Sequence, residues 1–210
     1  MTIEKGRSWG EPWSDPAPLP AATDDAALAA LAHRALADGS PLVATVATGD
    51  LLATLGLSGP RPPEDRHGYP VDLGLAHLGP GPEEPPAVSL PFVAHVTVRG
   101  PRLTGIGPGI VVAAMNAAWL DDLRLGPRAH PNDGLLDITE GRIGARQRRE
   151  ATARAKTGAH LPHPRLTTTR SATWRRSFRR PVPVWVDGVR CGRFRSIELA
   201  VVPDGLVVVA

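Results

Sequence analysis

From residue 71 to the end of the chain, short apolar-alternating runs follow one another with turn residues between them. They read VDLGLAHL (71–78), AVSLPFVAHVTVRG (87–100), GIVVAAMNAAWL (109–120), GLLDITEGRI (134–143), PRLTTTRSAT (164–173), PVPVWVDG (181–188), SIELAVVP (196–203) and GLVVVA (205–210). Alternation puts every second side chain on one face of a pleated strand, and the close spacing of turns leaves little length for crossover helices. The pattern predicts a mainly β fold, an antiparallel sandwich or distorted barrel. Glycine (22) and proline (23) are abundant, in keeping with many turns. One helix is expected to interrupt the strands, over 145–157; it is polar nearly all round and so belongs on the surface.

The first third of the chain reads differently. Residues 1–22 form an irregular arm whose Trp9 and Trp13 are expected to dock on the protein's own domain. Residues 23–39 carry a helix signature. Thr23 or Asp24 can cap it, Gly39 stops it, and Leu28, Leu31, Ala32 and Leu36 fall at helical spacing on one face. A short strand (41–47) follows, then a glycine turn and a second short helix over Asp50–Leu55. Residues 60–67 are a charged, proline-rich linker. Three regions result: the arm (1–22), an α/β segment (23–59) and the β domain (68–210).

Composition narrows the setting. With 210 residues the chain can bury a core without disulfides. Cys191 is its one cysteine, so no internal disulfide forms and a reducing, cytoplasmic setting is the simplest expectation. The polar, proline-punctuated start does not read as a secretory signal, and the apolar runs are too short to span a bilayer as helices. The net charge is +3, carried almost wholly by arginine, with Lys5 and Lys156 the only lysines. Arginine over lysine is a habit of GC-rich bacterial genomes, and it explains much of the arginine content before function does.

Several constellations bear on chemistry. In HPNDGLLD, Asp133 and Gly134 make a tight turn, which can aim a carboxylate and nearby carbonyls at a hard cation or can be a plain β-turn. Asp187-Gly188 is a strong hairpin signal, with the Asp187 carboxylate expected to serve the turn. Thr48-Gly49-Asp50 at a helix start can cradle a phosphate; the Asp50 carboxylate works against that and is more simply an N-cap. GIGPG (105–109) lacks the spacing of a nucleotide loop and reads as a turn. WRRSFRRP places Arg175, Arg176, Arg179 and Arg180 among aromatics. At this low net charge the residues argue against nucleic acid and for a solvated edge strand, with peripheral membrane contact as the alternative. His160 and His163 are separated by a proline and have no cysteine or carboxylate cluster, so a metal site there is not expected. His95 is a core or cleft histidine, and Asn116 either pairs with backbone or faces a cleft.

PRAHPNDGLLD (127–137) and PVPVWVDGVRCG (181–192) together resemble the C-terminal domain of the diacylglycerol kinase-like lipid kinases. That family reads roughly P-x-A-x-x-D-D-G-L-L-D and V-D-G-E-P there. Thr48, Gly49, Asp50, Ala53, Leu55 and Gly56 match part of the family segment G-T-G-N-D-x-A-R-x-L-G, without its asparagine and one residue shorter. Residues 115–120 and 158–164 also fit the resemblance, which is good over 71–210 and partial over 24–57. It implies a β-sandwich like the lipid kinase C-terminal domain, preceded by a remnant of the kinase N-terminal domain. It implies a weak structural magnesium site at Asp133 with the carbonyls of His130 and Leu135. It also implies a lipid cleft near Asn116, His95 and Asp187.

The resemblance departs where catalysis would occur. The family's general base, the glutamate after V-D-G, is Val189 here, and Asp187 is the nearest substitute. G-G-D-G-T, which grips ATP in the family, is absent. ATP binding by the lone chain is therefore not expected. The expected function is a non-catalytic lipid kinase-like protein that binds a lipid, another amphipathic molecule or a partner subunit in the former substrate cleft. The alternative is an active lipid kinase completed by a separate nucleotide-binding subunit or unusual residues.

Overall fold

The computed structural model describes residues 9–15, 17–39, 42–57, 65–99 and 109–210. The first helix, α1 (Asp25–Asp38), begins where the sequence places it. Asp24 caps it, accepting from Ala27 N at 2.8 Å, and Gly39 ends it in the left-handed region at φ 65°. Leu28 and Ala32 are buried as expected, but Leu36 is 47% exposed. The buried residues of α1 lie on its first two turns, so its last turn runs past the core. Two two-residue strands precede α1: β1 (Glu11–Pro12) pairs with β4 (His67–Gly79), and β2 (Ala21–Ala22) with β3 (Leu42–Val46). Helix α2 (Asp50–Leu55) follows β3 directly.

The β region forms β4 (His67–Gly79), β5 (Val88–Phe92), β6 (His95–Arg99), β7 (Gly109–Met115), β8 (Leu136–Ile143), β9 (Leu166–Ser171), β10 (Thr173–Val186) and β11 (Val189–Val209). The polar helix α3 (Ala145–Ala155) lies between β8 and β9, with Ala155 its only buried residue. The strands pair in the order β1-β4-β11-β10-β6-β7-β8-β9, with β5 on β4 and β3 on β11. All these pairings are antiparallel except β3 with β11 and β2 with β3. The mainly antiparallel β fold is thus observed. GIGPG falls outside the described residues up to position 108, as does most of the linker.

Two cores explain the long strands. Leu78, Phe92, Val96, Val112, Ile138, Val184 and Ile197 come from strands spread along the sheet yet share one cluster, so the sheet closes over it like a sandwich. The second core gathers Leu28, Leu42, Leu51, Val71, Leu206 and Val208, joining α1 and α2 to the other end of β4 and β11. Strand β11 serves both because its register shifts between Val202 and Leu206, around Asp204 at φ 51°. Such a bulge bends a strand and re-aims its side chains. Trp9 packs on this second core and meets the Tyr69 ring edge-on at 5.5 Å, so the arm docks on its own domain. Among the described residues no helix is long and apolar enough to cross a membrane.

Candidate functional site

The helices meet the sheet at a polar junction. Asp25, one residue after the α1 cap, turns its carboxylate to the start of α2. There Oδ2 accepts from Asp50 N at 2.7 Å and from Leu51 N at 3.4 Å. Gly49 makes this approach possible. It sits at φ 140°, and a Cβ on it would fall 2.3 Å from Asp25 Oδ1. A helix start attracts an anion because its first N–H groups lack partners. Here the chain's own Asp25 carboxyl oxygen supplies the acceptor. Thr48 Oγ1 donates to Thr23 O at 2.9 Å and ties the turn to α1.

Asp50 does not cap its own helix. Its Oδ1 accepts from Asp121 N at 2.9 Å, and its Oδ2 lies 2.9 Å from His95 Nε2. Asp187 belongs to the two-residue turn between β10 and β11, where it and Gly188 adopt φ 43° and 78°. The expected hairpin is present, but the carboxylate does not serve its own turn. It accepts from the backbone of the β5–β6 loop, Val93 N at 2.8 Å and Ala94 N at 2.9 Å, and from the first residue of β6, His95 N at 2.9 Å. Asn116 is fully buried and donates through Nδ2 to the carbonyls of Asp72 and Val93, each at 2.9 Å. It therefore pairs with backbone. Val189, next to the turn, is 54% exposed.

Three carboxylates around one imidazole set the electrostatics. Burial, then the charge of Asp187, push the Asp25 carboxyl from 3.8 up to about 7, against the hydrogen bond from Asp50 N. Burial also raises Asp187, partly offset by His95 and the three backbone donors. Burial alone would lower His95, but the hydrogen bond to Asp50 and the charges of Asp187, Asp50 and Asp25 together lift it above its ordinary value. A carboxylate–imidazole pair of this kind can hold and pass a proton. His95 is 3% exposed and Asp50's side chain 18%, so outside access comes through Asp50.

A second cluster lies on the 130–135 turn. Asp133 Oδ1 accepts from Leu135 N at 3.0 Å, and Oδ2 pairs with Arg170 of β9. Gly134 N donates to Asp72 Oδ2 at 2.6 Å, and Asp204 N donates to Asp72 Oδ1 at 3.1 Å. Asp72 thus clasps this turn to the bulge of β11, and burial raises its pKa. His130 Nδ1 accepts from Asn132 N at 3.2 Å and its ring lies 4.6 Å from Trp9; burial lowers its pKa. Among the described residues no group of three or more histidine, cysteine, aspartate or glutamate side chains is arranged to hold a metal.

The structure brings Asp50, His95 and Asp187 together and keeps Asp133, His130 and Leu135 in a separate turn. Arg175, Arg176, Arg179 and Arg180 are exposed on β10. Sequence reading missed Asp25 and Asp72 as site residues. Asp25 looks like an ordinary acid in a first helical turn. Asp72 carried a signal, a carboxylate inside an apolar run, which demands a buried partner.

No protein-family model matches the sequence, and no curated protein matches it. Solved structures do. A candidate diacylglycerol kinase from Bacillus anthracis strain Sterne superposes with a TM-score of 0.55 at 11% identity, over 80% of this chain and 69% of its own. A second structure described in the same way gives 0.53 at 12% identity, over 80% and 69%. A third, a diacylglycerol kinase from that strain, gives 0.50 at 12%, over 80% and 66%. At such identity the likeness shows the fold, and this chain has a diacylglycerol kinase-like fold.

Proposed function

We propose that this chain is a non-catalytic protein on a lipid kinase-like fold, which binds a lipid or another amphipathic ligand. The observation that carries the proposal is the hairpin turn. Where the resemblance calls for a glutamate base, the chain has Val189, and the neighbouring Asp187 carboxylate is committed to three backbone N–H groups. A general base must reach the proton it removes. Val189 has no proton acceptor, and Asp187 could reach a substrate proton only by giving up its bonds to Val93, Ala94 and His95.

A groove of about 340 Å³ offers room for an apolar chain. Pro127, Leu161, Pro162 and Leu166 line it, with Arg128 and His163 beside them. Its size lies at the lower end of small-molecule sites. A ligand in the former cleft, near His95 and Asp187, would first have to part Asp50 from His95.

An active kinase completed by a nucleotide-binding subunit is the second reading, and the Asp50–His95 pair is what favours it. One experiment separates the two. Purified chain is incubated with magnesium, labelled ATP and diacylglycerol, phosphatidylglycerol or sphingosine, with and without host lysate. The proposal expects no transfer attributable to the chain. Transfer that requires the wild-type chain and is lost in Asp50→Asn would establish the kinase reading. Native mass spectrometry of protein from its own host tests ligand binding: a co-purifying lipid is expected, and a bare chain would remove that part.

A further inference from the structure

Charge in this protein is segregated. Between residues 174 and 195 the hairpin of β10 and β11 carries seven arginines against one acid, the buried Asp187. The whole chain is only +3, so the remainder is net acidic. A genome-wide preference for arginine would spread these residues evenly and does not explain the segregation.

The backbone presents part of this charge through a built feature. The β10–β11 register runs to Ser177↔Ser196 and resumes at Val182↔Phe194. Residues 178–181 of β10 therefore stand opposite Arg195 alone. Phe178, 6% exposed, anchors this wide bulge in the sandwich core. Arg193 Nη2 donates to Pro181 O at 2.7 Å and braces its other end. Between these anchors Arg179 and Arg180 are pushed outward and exposed. Arg175 reaches Glu198 only at 4.0 Å and Arg176 reaches Glu140 at 3.4 Å. Arg179, Arg180, Arg190 and Arg195 have no carboxylate partner among the described residues.

Arginines also protect open strand edges, and the start of β10 pairs only with β11. Edge protection accounts for Arg175 and Arg176. It does not account for a braced bulge that extrudes two more, or for Arg193 and Arg195 on the partner strand.

We propose that the β10–β11 bulge is a docking surface for an anionic lipid membrane. Guanidinium groups pair bidentately with phosphate oxygens, and clustered basic residues gather at negatively charged bilayers. Single-stranded nucleic acid fits less well. It needs exposed rings on which bases stack, whereas Phe178 is buried and Trp174 and Phe194 are packed partly into the core.

The test is co-sedimentation with vesicles of phosphatidylcholine, with or without a third of phosphatidylglycerol, at low and high salt. The wild type is expected to bind the anionic vesicles only, and to be released by salt. Arg179→Glu with Arg180→Glu is expected to weaken binding by about tenfold or more with unchanged melting. Arg149→Glu with Arg154→Glu makes the same charge change on exposed positions of α3 and is expected to keep binding. Equal binding to neutral vesicles, no binding at low salt, or equal losses in the two variants would overturn the proposal. So would tighter binding to single-stranded or duplex DNA than to anionic vesicles. None of these readouts depends on whether the groove holds a ligand or the chain lacks kinase activity.

Discussion

Nε2 of His95 lies 2.9 Å from Oδ2 of Asp50, and this contact joins the start of β6 to the start of α2. It is a contact between the sandwich and the helical end of the molecule. Removing the imidazole leaves Asp50 with Asp121 N as its side-chain partner. Breaking one side of such a buried pair costs about 3 kcal/mol. His95→Ala is therefore expected to lower unfolding free energy by that order. The sign with pH follows from the raised pKa of His95. Its stabilisation is complete below the ordinary value of 6.5 and is lost as pH rises through the folded value. The variant should thus lose more below 6.5 than in mild alkali. Denaturant unfolding at several pH values checks this, and an equal loss throughout would show that the pair is not charged.

Asp25 gives the clearest pH signature. Its folded pKa, about 7, stands above the ordinary 3.8. Its contribution is fully present below 3.8 and is lost as pH rises through about 7, because the buried carboxyl must then ionise beside Asp187 and Asp50. Asp25→Asn keeps an acceptor for Asp50 N and cannot ionise. It is expected to flatten the stability profile between about pH 4 and 7, and to gain on the order of 1–3 kcal/mol over the wild type above that window. Parallel profiles for the two proteins would refute the assignment.

We propose that any magnesium at the 130–135 turn competes with Arg170. The Asp133 carboxylate already accepts from Leu135 N and pairs with Arg170. A hard cation needs several oxygen ligands and would have to displace the guanidinium. The wild-type melting midpoint should respond weakly to magnesium or chelator, and Arg170→Ala should respond more. If neither responds, the turn holds no cation.

Local signals carried much of the fold. Asp24, Gly39 and the spacing of Leu28 and Ala32 were enough to place α1, and Asp187-Gly188 was enough to place the last hairpin. Alternation placed the strands because one face of each is buried. The site was less legible because its bonds cross the chain. Asp25 and Asp50 are 25 positions apart, and Asp187 meets its three donors more than 90 positions away. Nothing in TGD says that the helix start is already filled by a carboxylate from α1. Leu36 misled for the opposite reason: its spacing is right for the apolar face, but the core ends before its turn.

Asp187 tests whether the turn is structural or chemical. Its carboxylate satisfies Val93 N, Ala94 N and His95 N inside the protein. A buried N–H left without a partner costs about 1–3 kcal/mol. Asp187→Ala orphans all three and should unfold the protein or bring it close to unfolding. Asp187→Asn retains one oxygen, which can keep Ala94 and His95 in the Oδ1 position, while its amide nitrogen faces the Val93 N–H. It should fold with a smaller loss than the alanine variant. Asn also lacks the charge that helps hold His95 protonated, so the His95 pKa should fall; proton NMR of its ring reads this directly. Val189→Glu, on an exposed position, should leave stability within about 0.5 kcal/mol and create no lipid phosphorylation. If the aspartate variants matched the wild type in melting, the carboxylate would not be the clamp that its three bonds describe.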